Sequence, residues 1–152
     1  MILSGQSIRK RCLQEGLLYP FHERGVVEGM SFGLSVAGYD IRVAEPHVLY
    51  PGDFVLASSI ERFAMPDDLI AFVHDKSTWA RKGLATQNTV IEPGWCGFLT
   101  LELTNHSTDI IIIKEGMPIA QIVFHLLDMP AEKPYNGKYQ HQKAGPQAAK
   151  YE

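Results

Sequence analysis

The sequence predicts a mainly β protein with a short N-terminal helix. Three observations carry that expectation: β-branched and aromatic runs of strand length, Gly and Pro recurring between them, and one stretch of strict period-two alternation. The runs fall at 53–57, 69–73, 98–103, 110–113 and 119–126. The alternation is Phe98-Leu99-Thr100-Leu101-Glu102-Leu103-Thr104. A strand there turns Leu99, Leu101 and Leu103 to one face and Thr100, Glu102 and Thr104 to the other.

The helix is expected just after the N-terminus. Ser4 and Ser7 precede a segment in which Ile8 and Cys12 lie one turn apart, and Gly16 is suited to end it. One or two other short helices complete the expectation. Lys114-Glu115-Gly116-Met117-Pro118 carries turn chemistry between two apolar runs. After Asp128 apolar periodicity stops, and Pro and Gly alternate with Lys and Gln. The whole chain, 1–152, therefore reads as a single domain in which 129–152 is an arm, either disordered or ordered by a ligand or a neighbouring subunit.

Composition narrows the class. At 152 residues, 45% hydrophobic and 20% charged, the chain is sized for one core and is neither disordered nor membrane-like in make-up. Its formal charge of −3 provides no bulk positive field for nucleic acid, so an anionic ligand needs a local pocket. No apolar stretch approaches the roughly 18 residues that span a bilayer, and no signal peptide or anchor is expected. Cys12 and Cys96 lack the spacing of a disulfide framework or a zinc site, which fits a reducing cytoplasm. Zinc-dependent nucleobase deaminases need a Pro-Cys-x-x-Cys element that two isolated cysteines do not supply. The six histidines form no close ligand pair and read as surface or satisfied core residues.

Three places could carry chemistry. In Asp75-Lys76-Ser77-Thr78-Trp79-Ala80-Arg81-Lys82-Gly83, a strand leading into a helix would set Ser77 and Thr78 near free amides, with Arg81 on the same face as Ser77. That is an anion site, or else an ordinary N-cap on a surface turn. Ile91-Glu92-Pro93-Gly94-Trp95-Cys96-Gly97 sets a carboxylate and an indole beside backbone that glycine lets a ligand approach. The other reading is a hairpin turn with a core tryptophan. Glu102 is either a solvated strand carboxylate or, under a pocket, an acid/base.

Taken in order, the segments resemble the deoxycytidine triphosphate deaminase branch of the trimeric dUTPase superfamily. The resemblance runs through Met1-Ile2-Leu3-Ser4, Gly38-Tyr39-Asp40-Ile41-Arg42, Pro51-Gly52-Asp53-Phe54-Val55-Leu56 and Met65-Pro66-Asp67-Asp68-Leu69. It continues in Lys76-Ser77-Thr78-Trp79-Ala80-Arg81-Lys82-Gly83-Leu84, in the block from Ile91 to Asn105, and in Pro134-Tyr135-Asn136-Gly137-Lys138-Tyr139-Gln140 with Gln142. It implies a distorted β-barrel or jelly roll (a dUTPase-like β-clip), a homotrimer with active sites between subunits, and zinc-independent deamination of dCTP to dUTP and ammonia.

By the same resemblance Glu102 is the general acid/base, with a pKa raised by partial burial, while Ser77 and Arg81 position the water and stabilise the tetrahedral centre. Lys76, Ser77, Thr78, Tyr135, Lys138 and Gln142 would hold the phosphates. Glu92 would read the sugar 3′-hydroxyl, Trp95 would pack on the nucleoside, and Gln87, Asn88 and Thr89 would line the base pocket. Mg2+ is expected on the phosphates, held mainly by nucleotide and water.

The chain departs from the family pattern twice. Its segment 82–91 is about two residues shorter than usual, and Glu92 replaces an Asp. Three further readings are a bifunctional enzyme that also hydrolyses the triphosphate to dUMP and pyrophosphate, with Glu92 as a water-activating carboxylate, a deaminase of another deoxycytidine nucleotide, and a non-catalytic nucleotide-binding module.

Overall fold

Helix α1 (Gly5–Glu15) buries Ile8 and Cys12. Gly16 closes it in the left-handed region at φ 70°, where its amide donates to the Cys12 carbonyl at 3.2 Å and the Leu17 amide to that of Arg11 at 3.3 Å. Both helix-end carbonyls are thereby satisfied, as the sequence signal at Gly16 predicts. The computed structural model describes residues 1–87 and 89–151. Asn88, expected in the base pocket, lies outside the described residues.

Twelve strands follow α1 among the described residues. They are β1 (Leu18–Tyr19), β2 (Arg24–Val27), β3 (Met30–Leu34), β4 (Tyr39–Arg42), β5 (His47–Leu49), β6 (Phe54–Ala64), β7 (Leu69–Asp75), β8 (Leu84–Thr86), β9 (Val90–Ile91), β10 (Cys96–Asn105), β11 (Ile111–Ile113) and β12 (Pro118–Leu126). A single-turn helix, α2 (Ser77–Ala80), sits between β7 and β8. All pairings between these strands are antiparallel. One sheet runs β1-β6-β10-β8, a second β2-β3-β4-β12-β7-β9, and β11 pairs with β5. Each of the five anticipated runs lies in or overlaps a strand, as expected of a mainly β chain.

The core follows from alternation. Leu99, Leu101 and Leu103 of β10 are buried together with Phe63 of β6, Leu69 of β7, and Ile122 and Phe124 of β12. Thr100, Glu102 and Thr104 are only partly buried, so the period-two reading of β10 holds residue by residue. Where the β10–β6 register shifts between Phe98 and Thr100, the Leu99 amide donates to Ser59 Oγ at 2.9 Å. That hydroxyl donates in turn to the Glu61 carbonyl at 2.7 Å, so the irregularity leaves no orphaned donor. The fully buried Glu61 carboxylate takes the Arg42 amide at 2.9 Å and Arg42 Nε at 3.0 Å, tying β6 to β4 of the other sheet.

Segment 129–151 runs against its own chain. The Tyr135 amide donates to the Pro93 carbonyl at 2.8 Å, and Gln142 forms a parallel bridge with Gly97. The arm lacks a core of its own because it borrows hydrogen bonds from the β9–β10 turn and from β10.

Candidate active site

Glu102 opens into a cleft of about 720 Å³. Leu56, its register partner on β6, and Phe54 form one wall; Val73 and Val90 of the second sheet form another. Trp95, Leu99 and Thr100 line the space toward the start of β10, and Tyr135, Tyr139, Gln142 and Gln147 of the arm close it. The largely apolar lining desolvates the Glu102 carboxylate and pushes its pKa up from the ordinary glutamate value. A carboxyl shifted in that direction holds a proton more readily than a solvated glutamate does.

Of the other residues expected in the site, Thr89, Glu92, Trp95, Tyr135 and Gln142 reach the same cleft. Gln87 lies beside it: its amide donates to the Glu102 carbonyl at 2.8 Å and its side chain meets the Thr104 hydroxyl. β8 pairs with β10 of the first sheet, whereas β9 pairs with β7 of the second. The 92–95 turn therefore joins two sheets and is not a hairpin. Trp95 is both core and cleft wall: it is buried, lies 6.4 Å from the Phe63 ring, and donates Nε1–H to the Tyr139 carbonyl at 2.7 Å. Glycine in this turn admits the chain's own arm: a Cβ at Gly94 would stand 2.4 Å from Pro134 Cβ.

Ser77, Thr78 and Arg81 are exposed on and just after α2 and do not line the Glu102 cleft. The Arg81 amide donates to the Ser77 carbonyl at 3.1 Å, so the two residues share a helical turn as their spacing predicts. One turn develops little macrodipole, and no side chain caps it. Within one chain the turn is thus not a side-chain N-cap, and Lys76 does not join Ser77 and Arg81. Lys76 turns away instead, with Nζ 3.0 Å from Asp40 Oδ2 and both side chains nearly buried. Trp79 anchors the turn by donating Nε1–H to the Pro118 carbonyl at 2.7 Å. Thr78 faces a separate hollow of about 340 Å³ with Trp79 and Lys82.

In the arm, Tyr135 packs on the core and its hydroxyl accepts from the Tyr139 amide at 3.1 Å. Gln142 donates Nε2–H to the Phe98 carbonyl at 3.0 Å and to Thr100 Oγ1 at 2.6 Å. The Lys138 ammonium lies over the Tyr139 ring, outside the cleft lining. Sequence reasoning did not single out Thr100, Tyr139 and Gln147. The alternation of β10 places Thr100 on the Glu102 face, but no local pattern reveals that residues some 40 positions later land there. Among the described residues no three His, Cys, Asp or Glu side chains gather to hold a metal ion, and no helix is long and apolar enough to cross a membrane.

The chain is similar to known proteins in both fold and sequence. Among solved structures the chain resembles a native EIAV dUTPase (TM-score 0.56, 22% identity, 66% of this chain and 84% of that one). It also resembles a Staphylococcus bacteriophage 80alpha dUTPase (TM-score 0.58, 19% identity, 80% and 93%). A third neighbour, a dUTPase from phage phi11 of S. aureus, is described with a coordinated structural Mg(II) ion (TM-score 0.54, 21% identity, 67% and 84%). These likenesses establish a dUTPase-like fold.

In sequence the chain is 42% identical over 117 residues to a dUMP-forming dCTP deaminase of Dictyoglomus turgidum, covering 73% of this chain and 60% of that protein. It is 43% identical over 115 residues to one of Mycobacterium leprae (71% and 60%). It is 44% identical over 109 residues to a dCTP deaminase of Haloarcula marismortui (68% and 55%). The chain thus spans about 60% of the length of such relatives. The dCTP deaminase-like family model matches residues 39–127, from the strand bearing Asp40 through the α2 turn and Glu102 to the end of β12. On the match of more than half its length and on these identities, the chain belongs to the dCTP deaminase-like family.

Proposed function

We propose that this chain deaminates dCTP hydrolytically, without zinc, using Glu102 as acid/base. The observation that carries the reading is the half-buried Glu102 carboxyl in a nucleoside-sized cleft beside Trp95 and Glu92. As water attacks C4 of the cytosine, the carboxylate takes a proton from it and passes the proton to ring N3. The proton left on the new hydroxyl then moves through Glu102 to the amino group, the C4–N bond breaks, and ammonia leaves with a carbonyl behind. One water is consumed and one ammonia released. A raised pKa makes the carboxylate a better proton acceptor from the attacking water than a solvated glutamate is.

Ser77 and Arg81 are assigned to the water and the tetrahedral centre, reaching the cleft from a neighbouring copy in a homotrimer. Their absence from their own chain's cleft lining supports that arrangement. The phosphates fall to Ser77, Thr78, Lys138 and Tyr135, since Lys76 and Gln142 are engaged by Asp40 and β10. The chain gathers no ligand cluster for Mg2+ among the described residues, so an ion would be held by phosphate and water. A free nucleotide as substrate fits a cytoplasmic reaction.

Between dUTP and dUMP as final product, dUMP with pyrophosphate is favoured. Two of the relatives above are named dUMP-forming, and Glu92 supplies a second carboxylate in the same cleft. Measuring ammonia and pyrophosphate together from dCTP tests the reading. Wild type should release both, and Glu102→Gln should release neither. Undiminished ammonia from Glu102→Gln overturns the mechanism; dUTP accumulating without pyrophosphate overturns the dUMP product; tight dCTP binding without any turnover identifies a binding module instead.

A further inference from the structure

We infer that Thr100 is a positioning residue whose hydroxyl latches the C-terminal arm of the same chain over the Glu102 cleft. The proposal rests on reading that cleft as the nucleotide site.

The arm is seated by shape before it is held by hydrogen bonds. A Cβ at Gly97, whose φ is 153°, would lie 2.7 Å from the Gln142 amide nitrogen and 2.9 Å from its carbonyl oxygen. Only a residue without a side chain lets the arm backbone come this close. The Phe98 amide then donates to the Gln142 carbonyl at 3.0 Å. Beyond this seat the hold changes character. Thr100 Oγ1 accepts Gln142 Nε2–H at 2.6 Å and the Gln147 amide at 3.0 Å, so one hydroxyl grips the arm at two points five residues apart. The Lys150 amide donates to the Tyr139 hydroxyl at 3.0 Å, closing the segment on itself. Gln147 and Ala149 are thereby brought to the cleft wall.

Thr100 and Glu102 are two residues apart on one face of β10, roughly 7 Å along the strand. The latch and the acid/base therefore share one rigid element. Most of 143–151 is exposed, and burial offers it little to hold it down. Segments with few buried contacts and a few surface hydrogen bonds open at low cost. Opening would admit a nucleotide, and relatching at Thr100 would shield the reacting carboxyl from water.

Amide exchange and steady-state kinetics test this on the full chain. Thr100→Val keeps the shape and removes the acceptor. It should speed exchange at the Gln147 and Lys150 amides by about tenfold, the order expected for losing one or two hydrogen bonds. It should raise KM for dCTP by a similar factor while kcat at saturation changes less than about twofold. Thr100→Ser, which restores the hydroxyl, should return both to wild-type values. Gly97→Ala unseats Gln142 without touching the hydroxyl and should move both readouts in the same direction, which keeps the test decisive if Thr100→Val folds poorly. Exchange and KM unchanged in Thr100→Val, or no rescue by Thr100→Ser, overturns the latch. Exchange is read without turnover, so failure of the deaminase reading is distinguishable from failure of the latch.

Discussion

The Lys76 ammonium and the Asp40 carboxylate lie 3.0 Å apart with side chains only 11% and 9% exposed. The pair ties the entrance of α2 to β4, and with it the turn that carries Ser77 and Arg81. Burial pushes the Asp40 pKa up and the Lys76 contact opposes that shift. Removing one partner leaves a buried charge behind, which typically costs 3–5 kcal/mol.

Lys76→Met is therefore expected to lose about 3 kcal/mol of stability in urea titration. Asp40→Asn/Lys76→Met should lose less than Lys76→Met alone, because no carboxylate is stranded. A Lys76 whose main role is phosphate binding would give the reverse pattern, with wild-type unfolding midpoints and a raised KM.

Glu102 should make stability depend on pH with a definite sign. Its folded pKa is raised by desolvation, above the roughly 4.3 of an unfolded glutamate. The folded protein thus binds the extra proton, and the group's stabilising contribution is full below about 4.3 and lost as pH rises through the folded value. Glu102→Gln is expected to melt higher than wild type at pH 8, with the gap narrowing toward pH 5. Equal melting temperatures at both pH values would contradict a desolvated carboxyl.

A site shared between copies predicts complementation. Glu102→Gln and Arg81→Ala should each be inactive alone. Co-refolded in equal amounts they should recover about one quarter of wild-type deamination, since random assembly pairs the two intact halves at that frequency. Mixed preparations that stay inactive would place the whole site within one chain.

Local pattern carried the reading of this protein where neighbours in sequence decide the outcome. The alternation from Phe98 to Thr104 set which side of β10 Glu102 occupies, Gly16 marked the end of α1, and the spacing of Ser77 and Arg81 put them on one turn. Each depends on backbone geometry within a few residues.

Contacts between distant segments were legible only in three dimensions. Nothing near Lys76 in the chain indicates that Asp40, 36 residues earlier, takes its charge. Nothing near Gly94 and Gly97 shows that the space they leave is filled by Pro134 and Gln142. The polar composition of 129–152 gives no sign of where the arm runs, and Gln140, Gln142 and Gln147 meet β10 through hydrogen bonds that only the fold shows. The sequence by itself determined five of the strands, the buried face of β10 and the side on which Glu102 stands, because those follow from short-range periodicity. The tertiary structure decided which charges pair, where the arm is seated and that Ser77 and Arg81 lie apart from Glu102, because strand pairing across sheets brings together residues whose local sequences carry no mark of one another.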